Sequence, residues 1–187
     1  MTRSFTLSRR QFLRYSADIA LAGAGASFAS GAFASAAQTC SLSLDNTHTQ
    51  EKISLIYSAA GQYMPAALDR LNHFLRDHYT GTVGKMDPQL FDVLHRITLT
   101  LNTRQSFQVI SGYRCAATND RLRTTRGGGV ARHSLHMDGK AIDVRIPGVP
   151  LAELHDAALS LKAGGVGFYP RDQFVHVDTG KVRRWAG

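Results

Sequence analysis

Only two cysteines, Cys40 and Cys115, occur in the 187 residues. A disulfide framework is therefore excluded, and a single bridge of a single connectivity is all that the chain can form. There is no run of Lys and Arg interleaved with aromatics, although basic residues outnumber acidic ones by 22 to 14. Nucleic acid is thus the weakest of the polyanions that a net charge of +8 would attract, behind anionic lipid and anionic cell-wall polymer. Internal repeats are missing, and so is any low-complexity tract after the first 36 residues. Beyond those residues no stretch is long and apolar enough to span a bilayer. Disorder is equally ill-suited to the composition: 43% apolar and 19% charged residues match one ordinary hydrophobic core.

The N-terminus carries what the rest lacks. Ser8-Arg-Arg-Gln-Phe-Leu-Arg14 has the paired arginines and following apolar pair of a twin-arginine export signal. An Ala- and Gly-rich apolar stretch, Ile19 to Phe33, leads to Ala34-Ser-Ala36, which has small residues at signal-peptidase spacing. The expected organisation is a signal peptide over residues 1–36 and one domain over residues 37–187, delivered folded to the periplasm. Arg3, Arg9, Arg10 and Arg14 against Asp18 give the signal +3, leaving +5 for residues 37–187. The periplasm is oxidising, so Cys40 and Cys115 are chemically able to pair there, but sequence leaves their proximity open.

Alternating and helical patterns organise the remainder. Residues 41–58 read as a β-hairpin. Ala67 to Tyr79 has Leu68, Leu71, Phe74 and Leu75 at helical spacing. Asp87-Pro88 is an N-cap and first-turn pair opening a helix with Leu90, Phe91, Leu94, Ile97 and Leu101 on one face. Strands are expected at Phe107–Ile110, Ala141–Ile146, Val166–Tyr169 and Phe174–Val177, with a helix after Pro150. Residues 116–131 are polar, end in Gly127-Gly-Gly129, and read as a mobile loop. The fold class is α+β, with helices packed on a small, mostly antiparallel sheet.

Chemistry concentrates in Ser134-Leu-His-Met-Asp-Gly-Lys-Ala-Ile-Asp143 and Phe174-Val-His-Val-Asp178. Two imidazoles and a carboxylate, His136, Asp143 and His176, form a mixed donor set suited to Zn²⁺ with a position left for water. On one helix His136 and Asp143 would lie two turns apart, whereas a turn at Gly139 feeding a strand aims both at one point. Asp178, two residues after His176, shares its face of a strand. It is placed either to take a proton from water or to orient a ligand imidazole. Asp172 is the poorer candidate, since it falls in a turn. Ser111-Gly-Tyr-Arg114 offers a guanidinium for a substrate carboxylate or oxyanion, with Tyr113 and Ser134 as further substrate contacts. His133 and Asp138 belong at the rim. Trp185 either stacks on sugar or pins the terminus.

Ser134-x-His136-x-x-Gly139-x-Ala141-x-Asp143 resembles the zinc signature of the D-alanyl-D-alanine carboxypeptidase and vancomycin-resistance dipeptidase group, whose core is shared with the hedgehog signalling domain. Within it the chain is most similar to the murein endopeptidase K family, from Leu42 to Trp185. That similarity includes Leu71–Asp77, Ile110–Arg114, Ala163–Pro170 and Phe174–Gly180. The resemblance implies a hedgehog-type fold, zinc held by His136, Asp143 and His176, and Arg114 facing a cell-wall peptide. The implied enzyme is a zinc murein endopeptidase that acts as a monomer on peptidoglycan stem peptides, with neither nucleic acid nor, after signal removal, membrane as a partner. Related enzymes place Glu three residues or His two residues before the last ligand; here those positions are Gln173 and Phe174. That departure keeps two alternatives open, a non-catalytic zinc module that binds the wall and a D-alanyl-D-alanine carboxypeptidase. The cross-link type, 3-3 or 4-3, also stays open.

Overall fold

The computed structural model describes residues 39–125 and 130–187. The expected export signal and the glycines Gly127–Gly129 lie outside them. In chain order the elements are β1 (Thr39–Asn46), β2 (Lys52–Ala59), β3 (Gln62–Tyr63), α1 (Pro65–Phe74), α2 (Pro88–Thr100) and β4 (Phe107–Ser111). There follow α3 (Ala116–Thr125), β5 (Ala141–Arg145), α4 (Leu151–Ser160), β6 (Gly165–Tyr169), β7 (Phe174–Asp178) and β8 (Arg183–Ala186). The strands form one sheet in the order β3-β2-β1-β4-β5-β7-β6-β8. Only β1/β4 and β6/β8 run parallel; every other neighbouring pair is antiparallel. The α+β class and the mostly antiparallel sheet are those expected.

The helices start and stop for local reasons. Asp87 caps α2 by accepting from the Gln89 amide at 3.0 Å, and Pro88 follows with φ preset for a helix. The helix ends as Asn102 turns left-handed, φ 47°. Leu90, Phe91, Leu94 and Ile97 put its apolar stripe fully into the core. There they join Leu44, Leu71, Phe107, Ile142, Val144, Val175 and Val177 from the strands and α1. Each such side chain contributes about 1.5–3 kcal/mol relative to leaving it in water.

Two expectations are corrected, and one open question is answered. The helix from Ala67 stops at Phe74 and not at Tyr79, because Asp77 folds the chain into a turn. Its carboxylate accepts from the Tyr79 amide at 2.9 Å, and its own amide donates to the Thr82 carbonyl at 2.9 Å. The loop reading of residues 116–131 fails over Ala116–Thr125, which is α3. Thr118 and Asn119 are the residues this helix buries, so it has no apolar stripe for a periodicity argument to find. It is held by polar contacts instead: the Asn119 side-chain amide donates to the carbonyls of Ala131 at 3.1 Å and Arg132 at 3.3 Å. Finally, Cys40 and Cys115 are both free. Cys40 precedes Leu44, which pairs with Phe107 in the parallel β1/β4 ladder, and Cys115 lies beyond the far end of β4. The two sit toward opposite ends of the sheet.

Candidate metal centre

A single row of residues crosses the sheet and builds the site. Ser111 on β4 is registered with Asp143 on β5, Asp143 with His176 on β7, His176 with Gly167 on β6, and Gly167 with Trp185 on β8. Side chains alternate along a strand, so the neighbours Ile142, Val144, Val175 and Val177 go into the core while this row faces the other way. Gly167 leaves the row a gap, and the indole of Trp185 fills it, 5.2 Å from the His176 ring centroid. The Trp185 Nε1 donates to the Tyr169 hydroxyl at 2.8 Å. Trp185 therefore both pins the terminal strand and walls the cleft.

His136 reaches the row from the turn before β5. Met137, Asp138 and Gly139 donate their amides back to Ser134, Leu135 and His136. Gly139 closes the turn at φ 67°, and a Cβ there would collide with the Lys85 carbonyl. The turn brings His136 Nε2 to 3.3 Å from Asp143 Oδ1 and 3.3 Å from His176 Nδ1. His176 Nδ1 and Asp143 Oδ1 are 2.8 Å apart. Zn–N bonds of about 2.0–2.1 Å at tetrahedral angles place donor atoms about 3.3 Å apart, so two edges of the triangle match that spacing and the third is a hydrogen-bond length. Among the described residues this is the one group of three or more His, Cys, Asp or Glu that converges closely enough to hold a metal ion.

Behind each imidazole stands an acceptor. The Gly112 carbonyl accepts from His136 Nδ1 at 2.8 Å, which leaves the Nε2 lone pair facing the triangle. Asp178 Oδ2 lies 3.1 Å from His176 Nε2 and orients Nδ1 inward in the same way. Burial pushes His136 down from its ordinary value, against the pull of Asp143. Burial also opposes charge on His176, but Asp143 and Asp178 outweigh it and raise the imidazole to about 9. Burial pushes the Asp143 carboxyl up, yet His136 and His176 hold it well below the usual carboxylate range.

Asp178 is fully buried. Besides His176, its oxygens accept from the Gly165 amide at 2.9 Å, the Gly180 amide at 2.8 Å and the Arg183 guanidinium at 2.7 and 3.1 Å. Burial raises this carboxyl, and His176 and Arg183 more than compensate, holding it far below its ordinary value. Of the two roles open to it, orienting the imidazole is the one that this geometry favours. Sequence reasoning passed over Arg183, whose only signal is its place five residues after Asp178.

The site opens into a cleft of about 720 Å³. Arg114, only 9% exposed, lines it with its Nη2 3.1 Å from Ser111 Oγ and 3.8 Å from Asp143 Oδ2. Ser134 and His133 line the same cleft, whereas Tyr113 packs on Gly84 and faces a smaller, adjoining cavity. Asp172 also lines the main cleft, so the turn that counted against it carries it to the site. Phe174 stacks on Tyr169 in the wall, with centroids 4.5 Å apart, and Gln173 stands exposed beside it.

No solved structure matches the chain. Among curated proteins, it is 46% identical over 144 residues to peptidoglycan L,D-endopeptidase MepK of Escherichia coli strain K12, covering 77% of this chain and 79% of that protein. It is also 46% identical over 147 residues to the probable peptidoglycan L,D-endopeptidase MepK of Haemophilus influenzae, covering 78% of each. The family model described as peptidoglycan L,D-endopeptidase MepK matches residues 34–185, a span that holds every residue of the cross-strand row and the turn that delivers His136, and the chain therefore belongs to that peptidase family.

Proposed function

We propose that this protein is a zinc-dependent murein endopeptidase that hydrolyses peptide cross-links of peptidoglycan during cell-wall remodelling. The observation that carries the reading is the convergence of His136 Nε2, Asp143 Oδ1 and His176 Nδ1, each imidazole with an acceptor behind it. These three atoms would hold Zn²⁺, which when bound polarises a carbonyl and acidifies water. Arg114 binds a substrate carboxylate by charge-assisted hydrogen bonds. Ser134 contacts the peptide. Asp178, braced by Arg183, is a positioning residue for His176. Asp172 is the carboxylate of the cleft wall that is left for proton transfer once Asp143 serves as a ligand.

The relatives' name specifies an L,D bond. A 4-3 cross-link starts at D-alanine and is a D,D bond, so the 3-3 type between two diaminopimelates is the substrate. The fold falls in the hedgehog and D-alanyl-D-alanine peptidase group, on the sequence resemblance and the α+β architecture. Residues 1–36 form a twin-arginine signal, residues 37–187 the mature periplasmic domain, and the enzyme acts as a monomer. Among the described residues no helix is long and apolar enough to cross a membrane.

Digestion of cross-linked muropeptides by zinc-loaded residues 37–187, followed by mass spectrometry, tests the proposal. Release of monomers from 3-3 dimers is expected, and none from His136→Ala. Free D-alanine as the product would make the protein a carboxypeptidase. Intact dimers with tight binding would make it a non-catalytic module.

A further inference from the structure

The cleft has an annex that this chemistry does not use. A second cavity of about 60 Å³ shares Arg114, Asp143 and Phe174 with the main cleft. Its other walls include His48, His78, Tyr113 and Thr118. A cavity needs about 10–15 Å³ of such volume to hold one water, so the annex has room for a small polar group such as a carboxylate.

Its electrostatic character is that of an anion site. His48 lies flat over His78, with ring centroids 3.8 Å apart and planes within 1°. His78 Nε2 is buried and has no hydrogen-bond partner among the described residues. A buried polar atom in that condition is uncommon in native proteins and points to something that completes it. Arg114 and Arg121 both place positive charge near this ring, and Arg121 is held in place by stacking on Tyr79 at 3.9 Å. Asp77 and Asp143 are the acids of the wall, but the oxygens of Asp77 are occupied by the amides of Cys115 and Tyr79, each at 2.9 Å, and by the Thr118 hydroxyl, while those of Asp143 face His176, His136 and Arg114.

We propose that the annex is a carboxylate subsite, in which Arg114 and Nε2–H of His78 together grip one carboxylate of the stem peptide beside the amide that is cut. The proposal rests on the endopeptidase reading and names the group that the substrate must carry. His78 is a binding residue with no part in bond breaking. Burial and His48 push its imidazole down to about 4, so it is neutral in the periplasm and meets an anion as a hydrogen-bond donor.

Calorimetric titration of the zinc-loaded chain tests this without turnover. The probes are a stem tripeptide ending in diaminopimelate, with the carboxyl of its D-centre as the free acid or as the carboxamide. The wild type should prefer the acid, and His78→Phe, which keeps a flat ring under His48, should reduce that preference about tenfold. His78→Gln, which restores a donor, should recover part of it, and thermal unfolding of both variants identifies any change due to misfolding. An acid preference equal in all three proteins overturns the proposal and leaves the annex to solvent. A chain that shows the preference yet releases no muropeptides refutes the endopeptidase reading while the subsite stands.

Discussion

His136 and His176 meet edge to face, with centroids 5.0 Å apart and planes at 66°; His48 and His78 lie flat on one another at 3.8 Å and 1°. The first pair converges on Asp143, and each ring has its outer nitrogen tied to an acceptor, Gly112 for one and Asp178 for the other. Among the described residues the second pair has no carboxylate bridging it, and one of its nitrogens is buried without a partner. His176, flanked by two carboxylates, is driven the opposite way from His78 and also from His136, which burial lowers. His176 is raised to about 9 although burial opposes it, while burial and His48 lower His78 to about 4. What stands behind an imidazole decides whether it offers a directed lone pair or waits as a neutral donor.

Removing the shared carboxylate should have the largest effect on this contrast. Asp143→Ala is expected to abolish stoichiometric zinc binding, read by metal analysis after dialysis, and to bring muropeptide release to background. A milder change keeps the first pair but strips one acceptor. Asp178→Asn should cost about 10–100-fold in zinc affinity, measured by competition with a chromogenic chelator, and Arg183→Ala should follow in the same direction with a smaller loss. Gly139→Ala tests the turn that delivers His136. A left-handed residue with a Cβ against the Lys85 carbonyl should lose about 1–3 kcal/mol of stability in urea, and zinc affinity should fall with it.

The smallest expected effect concerns the stacked pair. In the unfolded chain His78 takes up a proton near pH 6.5, in the folded chain only near pH 4. Between those values the unfolded state binds more protons, so stability present above pH 6.5 is lost as pH falls toward 4. His78→Phe should flatten this part of the urea-midpoint profile between pH 7 and 5. The difference is on the order of 1 kcal/mol, since solvent screens part of the shift.

Legibility followed apolar pattern. The β1/β2 hairpin, α2, α4 and the strands β4 to β7 were readable because their buried residues recur at the period of the element. α3 was not, because it buries Thr118 and Asn119 and is fastened by side-chain hydrogen bonds. β3 and β8 escaped notice for a related reason. Their residues are almost all exposed, and backbone pairing with a few side-chain hydrogen bonds, from Tyr63 to Asp92 and from Trp185 to Tyr169, recruits them to the sheet. Spacing around Gly139 and the face shared by His176 and Asp178 could be argued from sequence. The Gly112 carbonyl behind His136 could not, since a main-chain acceptor leaves no mark on residue identity. That the turn of Asp172 borders the cleft could not be read either, since the placement of a turn depends on the strands that it joins.

Gly167 seats the chain's sole tryptophan at the end of the row, one ring away from His176. Indole emission is sensitive to the charge and hydrogen bonding of such a neighbour, and no second fluorophore of that kind competes with it. The enzyme thus carries its own optical gauge, and a stopped-flow trace at Trp185 should follow ion capture and release in unlabelled protein.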